Sequence, residues 1–224
     1  MSGRPAGSRV WLGWALASLL GFAVTNFVLG YISEKSAGAP GASVKAAMIL
    51  WLGCGLLGVS GVLVFKATGR GFSGMNGSKL LPPPVAAGFT LALGMLLLKS
   101  SLAANPLAKG PIVAVTSSNA LVVALLAWAL LRERLSPGQW AGFAVTVAGI
   151  VLISLGGGGR AQAGAMALAL AAMLLFGATN FLLKLAGARG CDSPAAAVVL
   201  WLVVGACGLI AAIGHWLFAG TLPV

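Results

Sequence analysis

Residues 194–218 read PAAAVVLWLVVGACGLIAAIGHWLF and contain no acidic residue, lysine or arginine. A hydrocarbon core of about 30 Å requires about 20 helical residues, and a backbone that crosses it must satisfy its own hydrogen bonds. The stretch is therefore predicted to be a transmembrane helix. Six other apolar runs support the same interpretation, and together they give predicted spans at 10–32, 45–65, 85–98, 111–131, 137–155, 164–185 and 194–218.

The composition of the whole chain also indicates a membrane protein. Apolar residues make up 59% of the chain and charged residues only 8%, which is too few to solvate the surface of a soluble globule. The net charge of +11 does not indicate nucleic-acid binding, because the basic residues stand singly between apolar runs and form no patch. The predicted fold class is an all-α, polytopic membrane helix bundle of about seven transmembrane helices, with the lipid bilayer as its partner.

The basic residues also predict an orientation. If the N-terminus is cytoplasmic, nine lysines and arginines fall on the inner side and five on the outer side, as the positive-inside rule prefers. The predicted location is the cell membrane of a bacterium, the inner membrane. Lys99, Lys109 and Lys184 lie near span ends and are predicted to extend towards the lipid headgroups.

The start of the fifth span is marked by three residues. Ser136 can cap the helix, Pro137 suits its first position, and Gln139 completes a capping box. The segment 132–134 before it is predicted to be a tight turn on the inner side.

An internal repeat relates the two ends of the chain. FAVTNF at 22–27 matches FGATNF at 176–181, LWL at 50–52 matches LWL at 200–202, and Gly55 corresponds to Gly205. The copies are five spans apart, so they enter the membrane in opposite directions, which is the architecture of many secondary transporters. The predicted units are a cytoplasmic tail (1–9), a five-helix repeat (10–155), a Gly-rich linker (156–163) and a partial second repeat of two helices (164–224).

The segment 114–155 resembles the drug/metabolite transporter superfamily and its EamA-type domain. The resemblance rests on LLAW at 125–128, RERLSPGQWAG at 132–142 and AGIVL at 148–152. The family string is typically G-E-R-L-S-x-x-Q-W-x-G, and Arg132 stands where glycine is common. The resemblance implies a ten-helix transporter that moves a small metabolite by alternating access, with export the expected direction. Relative to that pattern three helices are missing, so a homodimer or a second membrane subunit could supply them.

Polar and aromatic residues inside the spans are the candidate substrate-binding residues. An unsatisfied amide in hydrocarbon costs several kcal/mol, so such side chains must face protein or water. The paired Thr-Asn motifs of the repeat, the polar cluster of the fourth span and two repeat-related tryptophans meet this description. They are Thr25, Asn26, Thr179, Asn180, Ser117, Ser118, Asn119, Trp51 and Trp201.

The sequence is also compatible with other functions. A truncated transporter, or a non-transporting or partner-dependent membrane subunit, fits the missing helices. A remote alternative is an intramembrane serine protease with Ser60 and His215, although helical spacing predicts that these residues lie at different depths. No catalytic residue, metal or cofactor is predicted. The acids Glu34, Glu133 and Asp192 all fall in predicted loops, so transport is expected to be facilitated or exchange-type rather than driven through a buried carboxylate.

Overall fold

The described part of the protein is built from helices alone. The computed structural model describes residues 41–69, 81–155 and 160–219, together with Leu20 and Tyr31, and contains no strand in these ranges. The helices are α1 (Ala42–Ala67), α2 (Pro82–Ala104), α3 (Lys109–Ser117), α4 (Ala120–Leu131), α5 (Pro137–Leu155), α6 (Arg160–Ala188) and α7 (Ser193–Ala219), with a 3-10 turn at Pro106–Ala108.

Five helical stretches are long and apolar enough to cross a membrane. They are Val44–Ala67, Pro82–Ala104, Pro106–Leu131, Ala163–Ala188 and Ser193–Phe218, and they match the second, third, fourth, sixth and seventh predicted spans. The fifth predicted span is α5, whose described apolar part is shorter. Apart from Leu20 and Tyr31, the first predicted span, 10–32, lies outside the described residues, so the total of seven stays a prediction. The chain has the helices of a multi-pass membrane protein.

Helix α2 is longer at both ends than the predicted span 85–98. The helix begins with Pro82, Pro83 and Pro84. Proline is accepted there because it has no backbone N–H group, and the N–H groups of the first helical turn have no intrahelical partner in any case. The helix ends at Ala104, before Asn105 and Pro106. A residue that precedes proline is disfavoured in the helical region, and Asn105 adopts φ −145°, ψ 85°.

The connection from α4 to α5 follows the predicted capping pattern. The backbone N–H of Ser136 donates to Oε1 of Gln139 at 2.7 Å, and the backbone N–H of Gln139 donates to Oγ of Ser136 at 3.3 Å. The predicted capping box is confirmed. Arg132, which ends α4, has φ +55° and is the one non-glycine residue with positive φ in the described ranges. This left-handed conformation favours glycine.

Two antiparallel pairs make up the centre of the bundle. α2 packs along α6, with Thr90 beside Thr179 near one end of the contact and Ser101 donating to the carbonyl oxygen of Ala165 near the other. α1 packs in the same manner along α7, and α2 also contacts α7. α3 and α4 cover another side of α6, whereas α5 contacts the bundle lightly and is largely exposed.

The described segments that the sequence assigns to the inner side lie together at one end of the bundle. Phe65 at the end of α1, Ala186 near the end of α6 and Cys191 before α7 share one buried cluster. Nζ of Lys184 lies 2.6 Å from Oε2 of Glu133, which brings the turn after α4 to the same end. Lys184 therefore forms an ion pair with a loop carboxylate, on the side where the sequence predicts an excess of positive charge.

Candidate functional site: a cavity between α1, α2, α6 and α7

Two of the helices that line the cavity, α1 and α7, contact each other very closely. A Cβ placed on Gly55 would lie 2.8 Å from Cα of Gly205, and a Cβ placed on Gly205 would lie 2.3 Å from Cα of Gly55. Carbon atoms in contact lie about 3.5–4.0 Å apart, so both positions require glycine. The two glycines that correspond in the sequence repeat thus touch each other.

The contacts on either side of this glycine pair are reciprocal. A Cβ on Gly58 would lie 2.8 Å from the backbone nitrogen of Leu202, and a Cβ on Gly208 would lie 2.9 Å from the backbone nitrogen of Leu52. In the repeat, residue 58 corresponds to 208 and residue 52 to 202, so each contact is the image of the other. Such mutual contacts are the signature of a two-fold relationship between two segments. Because residue numbers rise along α1 as they fall along α7, the two helices run in opposite directions.

A cavity of about 720 Å³ lies beside this contact. α1, α2, α6 and α7 form its walls, and Asn119, directly before α4, contributes one more residue. Cavities of about 300–1,000 Å³ hold small organic ligands in proteins. Most of the described lining is apolar, and the lining side chains that can form hydrogen bonds or carry charge include Lys99, Asn119, Thr179, Asn180 and Trp201.

The fourth predicted span is interrupted beside the cavity. α3 ends at Ser117 and α4 begins at Ala120, and the N–H groups of Ser118 and Leu121 bond three residues back rather than four. The side chains of Thr116 and Ser118 donate to backbone carbonyls one turn earlier. Short polar side chains compete with the helical ladder in this way. The fourth predicted span, 111–131, is thus confirmed as a stretch long enough to cross a membrane, but it consists of two helices joined by a short turn at the polar cluster.

An amide pair joins the interruption to α6. Nδ2 of Asn180 donates to Oδ1 of Asn119 at 3.1 Å, and Nδ2 of Asn119 donates to the carbonyl oxygen of Thr116 at 3.2 Å. Gly177, one turn before Asn180, permits the approach, since a Cβ there would lie 2.3 Å from Cβ of Val122. The Thr-Asn motif of the second repeat copy thus meets the polar cluster of the fourth span at the cavity wall.

A pair of hydroxyl groups joins α2 and α6 close to the amide pair. Oγ1 of Thr90 lies 2.8 Å from Oγ1 of Thr179, and Oγ1 of Thr179 also donates to the carbonyl oxygen of Leu175 at 2.9 Å. Nε1 of Trp51 donates to the carbonyl oxygen of Ala92 at 3.2 Å and is buried. Trp51 therefore joins α1 to α2 through a buried hydrogen bond.

The structure brings together four of the nine candidate residues. Asn119, Thr179, Asn180 and Trp201 line the cavity, whereas Trp51, Ser117 and Ser118 are not among its described lining residues. Ser117 is exposed, and Oγ of Ser118 donates to the carbonyl oxygen of Ala114. The two remaining candidates, Thr25 and Asn26, lie outside the described residues.

Lys99 is a cavity residue that the sequence argument missed. It is 1% exposed and lies five residues before the end of α2, so the prediction that it extends to the headgroups is wrong. The predicted third span ends at residue 98, which places Lys99 at its boundary, whereas the helix continues for five more residues after Lys99. The break signal Asn105-Pro106 could have corrected it, because the helix continues to that point and places Lys99 inside the bundle.

The geometry of α1 and α7 argues against a serine protease dyad. Ser60 lies five residues past Gly55, and His215 lies ten residues past Gly205 on the antiparallel helix. At about 1.5 Å per residue, roughly 22 Å separates the two residues along the pair of helices. A dyad needs hydrogen-bond reach of about 3 Å.

The arrangement defines a class of protein: a multi-pass α-helical membrane protein with an internal cavity between antiparallel helix pairs. Comparison of the chain with protein-family models, curated proteins and solved structures gives no match.

Proposed function

We propose that this protein carries a small metabolite across the membrane by alternating access, with the cavity as its binding site. The observation that carries the proposal is that the walls come from both predicted repeat units. α1, α2 and α4 belong to the first unit, and α6 and α7 belong to the second. Secondary transporters bind their cargo at such an interface, near the middle of the membrane.

The antiparallel glycine contact supports an inverted repeat. An inverted repeat requires its second and seventh spans to cross in opposite senses, which is how α1 and α7 run. The reciprocal contacts around Gly55 and Gly205 lie where a two-fold axis in the membrane plane would pass. Close glycine packing between helices also permits the small rocking movements that alternating access needs.

The interrupted fourth span supports a binding site at the same place. Irregular backbone inside a membrane is tolerated where it lines a cavity or is buried in protein. Discontinuous helices supply polar backbone groups to the cargo in several transporter folds. Here the break at Ser118 and Asn119 faces Asn180, so amide and backbone groups lie together at one wall.

The resemblance to the drug/metabolite transporters is part of the proposal. The local structure explains two features of the family motif. Arg132, where the family commonly has glycine, adopts the left-handed conformation that favours glycine. Ser136 and Gln139 form the capping box that begins α5. We propose membership of that superfamily, with export across the bacterial inner membrane and a cytoplasmic N-terminus.

The proposed coupling is facilitated or exchange-type. Glu133 pairs with Lys184, and Asp192 lies in the turn before α7, so neither described acid lines the cavity. A proton-driven carrier of the usual kind places a carboxylate within its spans.

Two glycine variants test whether the cavity carries cargo. Gly53 lines the cavity and has open space around its Cβ position, so Gly53→Phe should fill the cavity without a backbone clash. Gly142 on the exposed helix α5 has equally open space and provides the matched control, Gly142→Phe.

Proteoliposomes are loaded with an isotope-labelled metabolite extract of cells, and release is followed by mass spectrometry. The wild type and Gly142→Phe should release a defined subset of metabolites faster than empty liposomes, and Gly53→Phe should not. Equal release from wild-type and empty liposomes would reject transport. Equal release from Gly53→Phe and wild type would reject the cavity as the route.

A further inference from the structure

Asn180 has hydrogen-bonding capacity that the described protein does not use. Its Nδ2 group donates to Oδ1 of Asn119, and Asn119 is held in that orientation because its own Nδ2 group donates to the carbonyl oxygen of Thr116. Oδ1 of Asn180 accepts no hydrogen bond within the described part of the chain. Asn180 is exposed and lines the cavity, so it supplies a free acceptor at the cavity wall.

Trp201 supplies a free donor on α7. It lines the cavity and is half-buried. Nε1 of Trp201 donates no hydrogen bond within the described ranges, whereas Nε1 of its repeat counterpart, Trp51, donates to the carbonyl oxygen of Ala92. Among the described residues that are not exposed, no side-chain nitrogen or oxygen is buried without a hydrogen bond, so the N–H group of Trp201 is accessible. An indole N–H can donate but not accept.

The acceptor and the donor lie at the same level of the bundle, because one turn of α2 contacts both of their helices. Oγ1 of Thr179 on α6 lies 3.5 Å from the carbonyl oxygen of Ala87. A Cβ placed on Gly88 would lie 3.0 Å from the carbonyl oxygen of Leu200 on α7. The acceptor residue directly follows Thr179 and the donor residue directly follows Leu200 in the sequence. Two walls of the cavity therefore offer complementary hydrogen-bonding groups to the same end of a ligand.

The space beyond these two groups is mainly apolar. Leu91 and Met95 of α2 and Phe176 of α6 are among the residues that line it. Lys99 lies about 16 Å further along α2 than Gly88 and already has an interaction within the protein. No carboxylate occurs among the described residues that line the cavity. The free acceptor and the free donor are thus uncharged groups beside an apolar space.

We infer that the cavity binds a neutral molecule with an apolar body and a carboxamide group, whose N–H donates to Oδ1 of Asn180 and whose carbonyl oxygen accepts from Nε1 of Trp201. This inference rests on the proposed function and names the class of its cargo. A carboxamide satisfies both protein groups, a ketone satisfies Trp201 alone, and a carboxylate has no N–H for Asn180. A site built to hydrogen-bond its ligand discriminates against an analogue that leaves one of its polar groups unpaired.

Binding is measured by titration calorimetry on the full chain in detergent micelles, with empty micelles subtracted. Each probe amide is compared with the methyl ketone of the same shape, in which a methyl group replaces the amide nitrogen. The pairs are 3-phenylpropanamide with 4-phenylbutan-2-one, and 2-naphthamide with 2-acetylnaphthalene. At least one amide should bind about ten times or more as tightly as its ketone, which corresponds to about 1.4 kcal/mol. Equal affinities in both pairs, no binding by either amide, or tighter binding of 3-phenylpropionate than of its amide would overturn the inference.

Two variants separate the acceptor from the donor. Asn180→Leu should reduce the preference for the amide to about twofold or less, because the ketone makes no use of Oδ1. Trp201→Phe should weaken amide and ketone alike, by about threefold or more, because both bind the indole N–H through their carbonyl oxygen. The control Trp216→Phe removes an exposed indole near the end of α7 and should leave every affinity unchanged. If Asn180→Leu does not fold, the wild-type ratio and Trp201→Phe still decide.

The outcomes for the amide site and for transport are distinguishable. An amide preference that persists in Asn180→Leu, or affinities that are unchanged in Trp201→Phe, would overturn the assigned contacts. An amide preference in a protein that releases nothing from proteoliposomes would reject transport and keep the amide site. Release of metabolites by a protein that shows no amide preference would reject the amide site and keep transport.

Discussion

The contact between Gly55 and Gly205 gives the sharpest stability prediction. An alanine at 55 would place its Cβ 2.8 Å from Cα of Gly205, and an alanine at 205 would place its Cβ 2.3 Å from Cα of Gly55. To restore a contact of about 3.5–4.0 Å, α1 and α7 must separate by about 0.7–1.2 Å in the first variant and about 1.2–1.7 Å in the second. Overpacking of this kind costs about 1–3 kcal/mol.

Thermal unfolding in detergent measures the effect. For chains of about 150–250 residues, 1 kcal/mol shifts Tm by about 2–4 °C, so each variant should lower Tm by about 2–12 °C, with Gly205→Ala the larger. The control is Gly53→Ala on the same helix, where nothing lies within 4 Å and alanine improves helix propensity by up to about 1 kcal/mol. Its Tm should stay the same or rise.

The double variant tests the contact itself. Once α1 and α7 have separated to accept one methyl group, the second costs less, so Gly55→Ala with Gly205→Ala should destabilise by less than the sum of the single effects. If the destabilisation of the double variant equals the sum of the two single effects, the two glycines do not contact each other. Equal stability of Gly55→Ala and Gly53→Ala would refute the close packing and, with it, the reciprocal geometry of α1 and α7.

Three further predictions concern single interactions. Arg132→Gly should raise the free energy of unfolding by about 1 kcal/mol, measured by thermal unfolding, because it relieves a left-handed residue; no gain would contradict the assigned conformation. Asn180→Ala and Asn119→Ala should each reduce transport severalfold at equal membrane abundance. The free energy of unfolding should change by only about 0.6 kcal/mol, because one hydrogen bond is lost. If transport is unchanged, the two asparagines have a structural role alone. Lys184→Met should cost at most about 1 kcal/mol, because its ion pair with Glu133 is exposed, and a larger loss of stability would contradict that exposure.

The sequence predicts the helices well where apolar length or capping chemistry decides. Long apolar runs can cross lipid only as helices, so five spans are located by composition, and the start of α5 follows from Ser136 and Gln139. The limits of α2 were predicted less well. The predicted span 85–98 leaves out Pro82, Pro83 and Pro84, which form the first turn of the helix, and it stops before Lys99, whereas the helix continues to Ala104.

The site could be predicted only in part, because contacts between distant helices decide the rest. The repeat and the polar cluster pointed to Asn119, Thr179, Asn180 and Trp201, but the periodicity of an apolar span does not reveal which face meets a partner. The break at Ser118 and Asn119 depends on side chains that bond the preceding turn. The sequence shows the polar cluster, but not that its side chains bond their own preceding turn instead of a neighbouring helix.

Alternating access requires that water reaches the cavity from both sides of the membrane in turn. Leu57 lines the cavity and is 61% exposed, and Leu152 on α5 is 70% exposed but lies away from the cavity. Each is changed to cysteine in a chain whose Cys54, Cys191 and Cys207 are replaced by alanine.

A membrane-impermeant thiol reagent is then applied to right-side-out and inside-out vesicles. Because thiol reagents attack the thiolate, reaction reports access to water. A carrier that alternates predicts labelling of Leu57→Cys in both kinds of vesicle and little labelling of Leu152→Cys in either. Labelling of Leu57→Cys in one kind of vesicle only, or in neither, would contradict alternating access through this cavity.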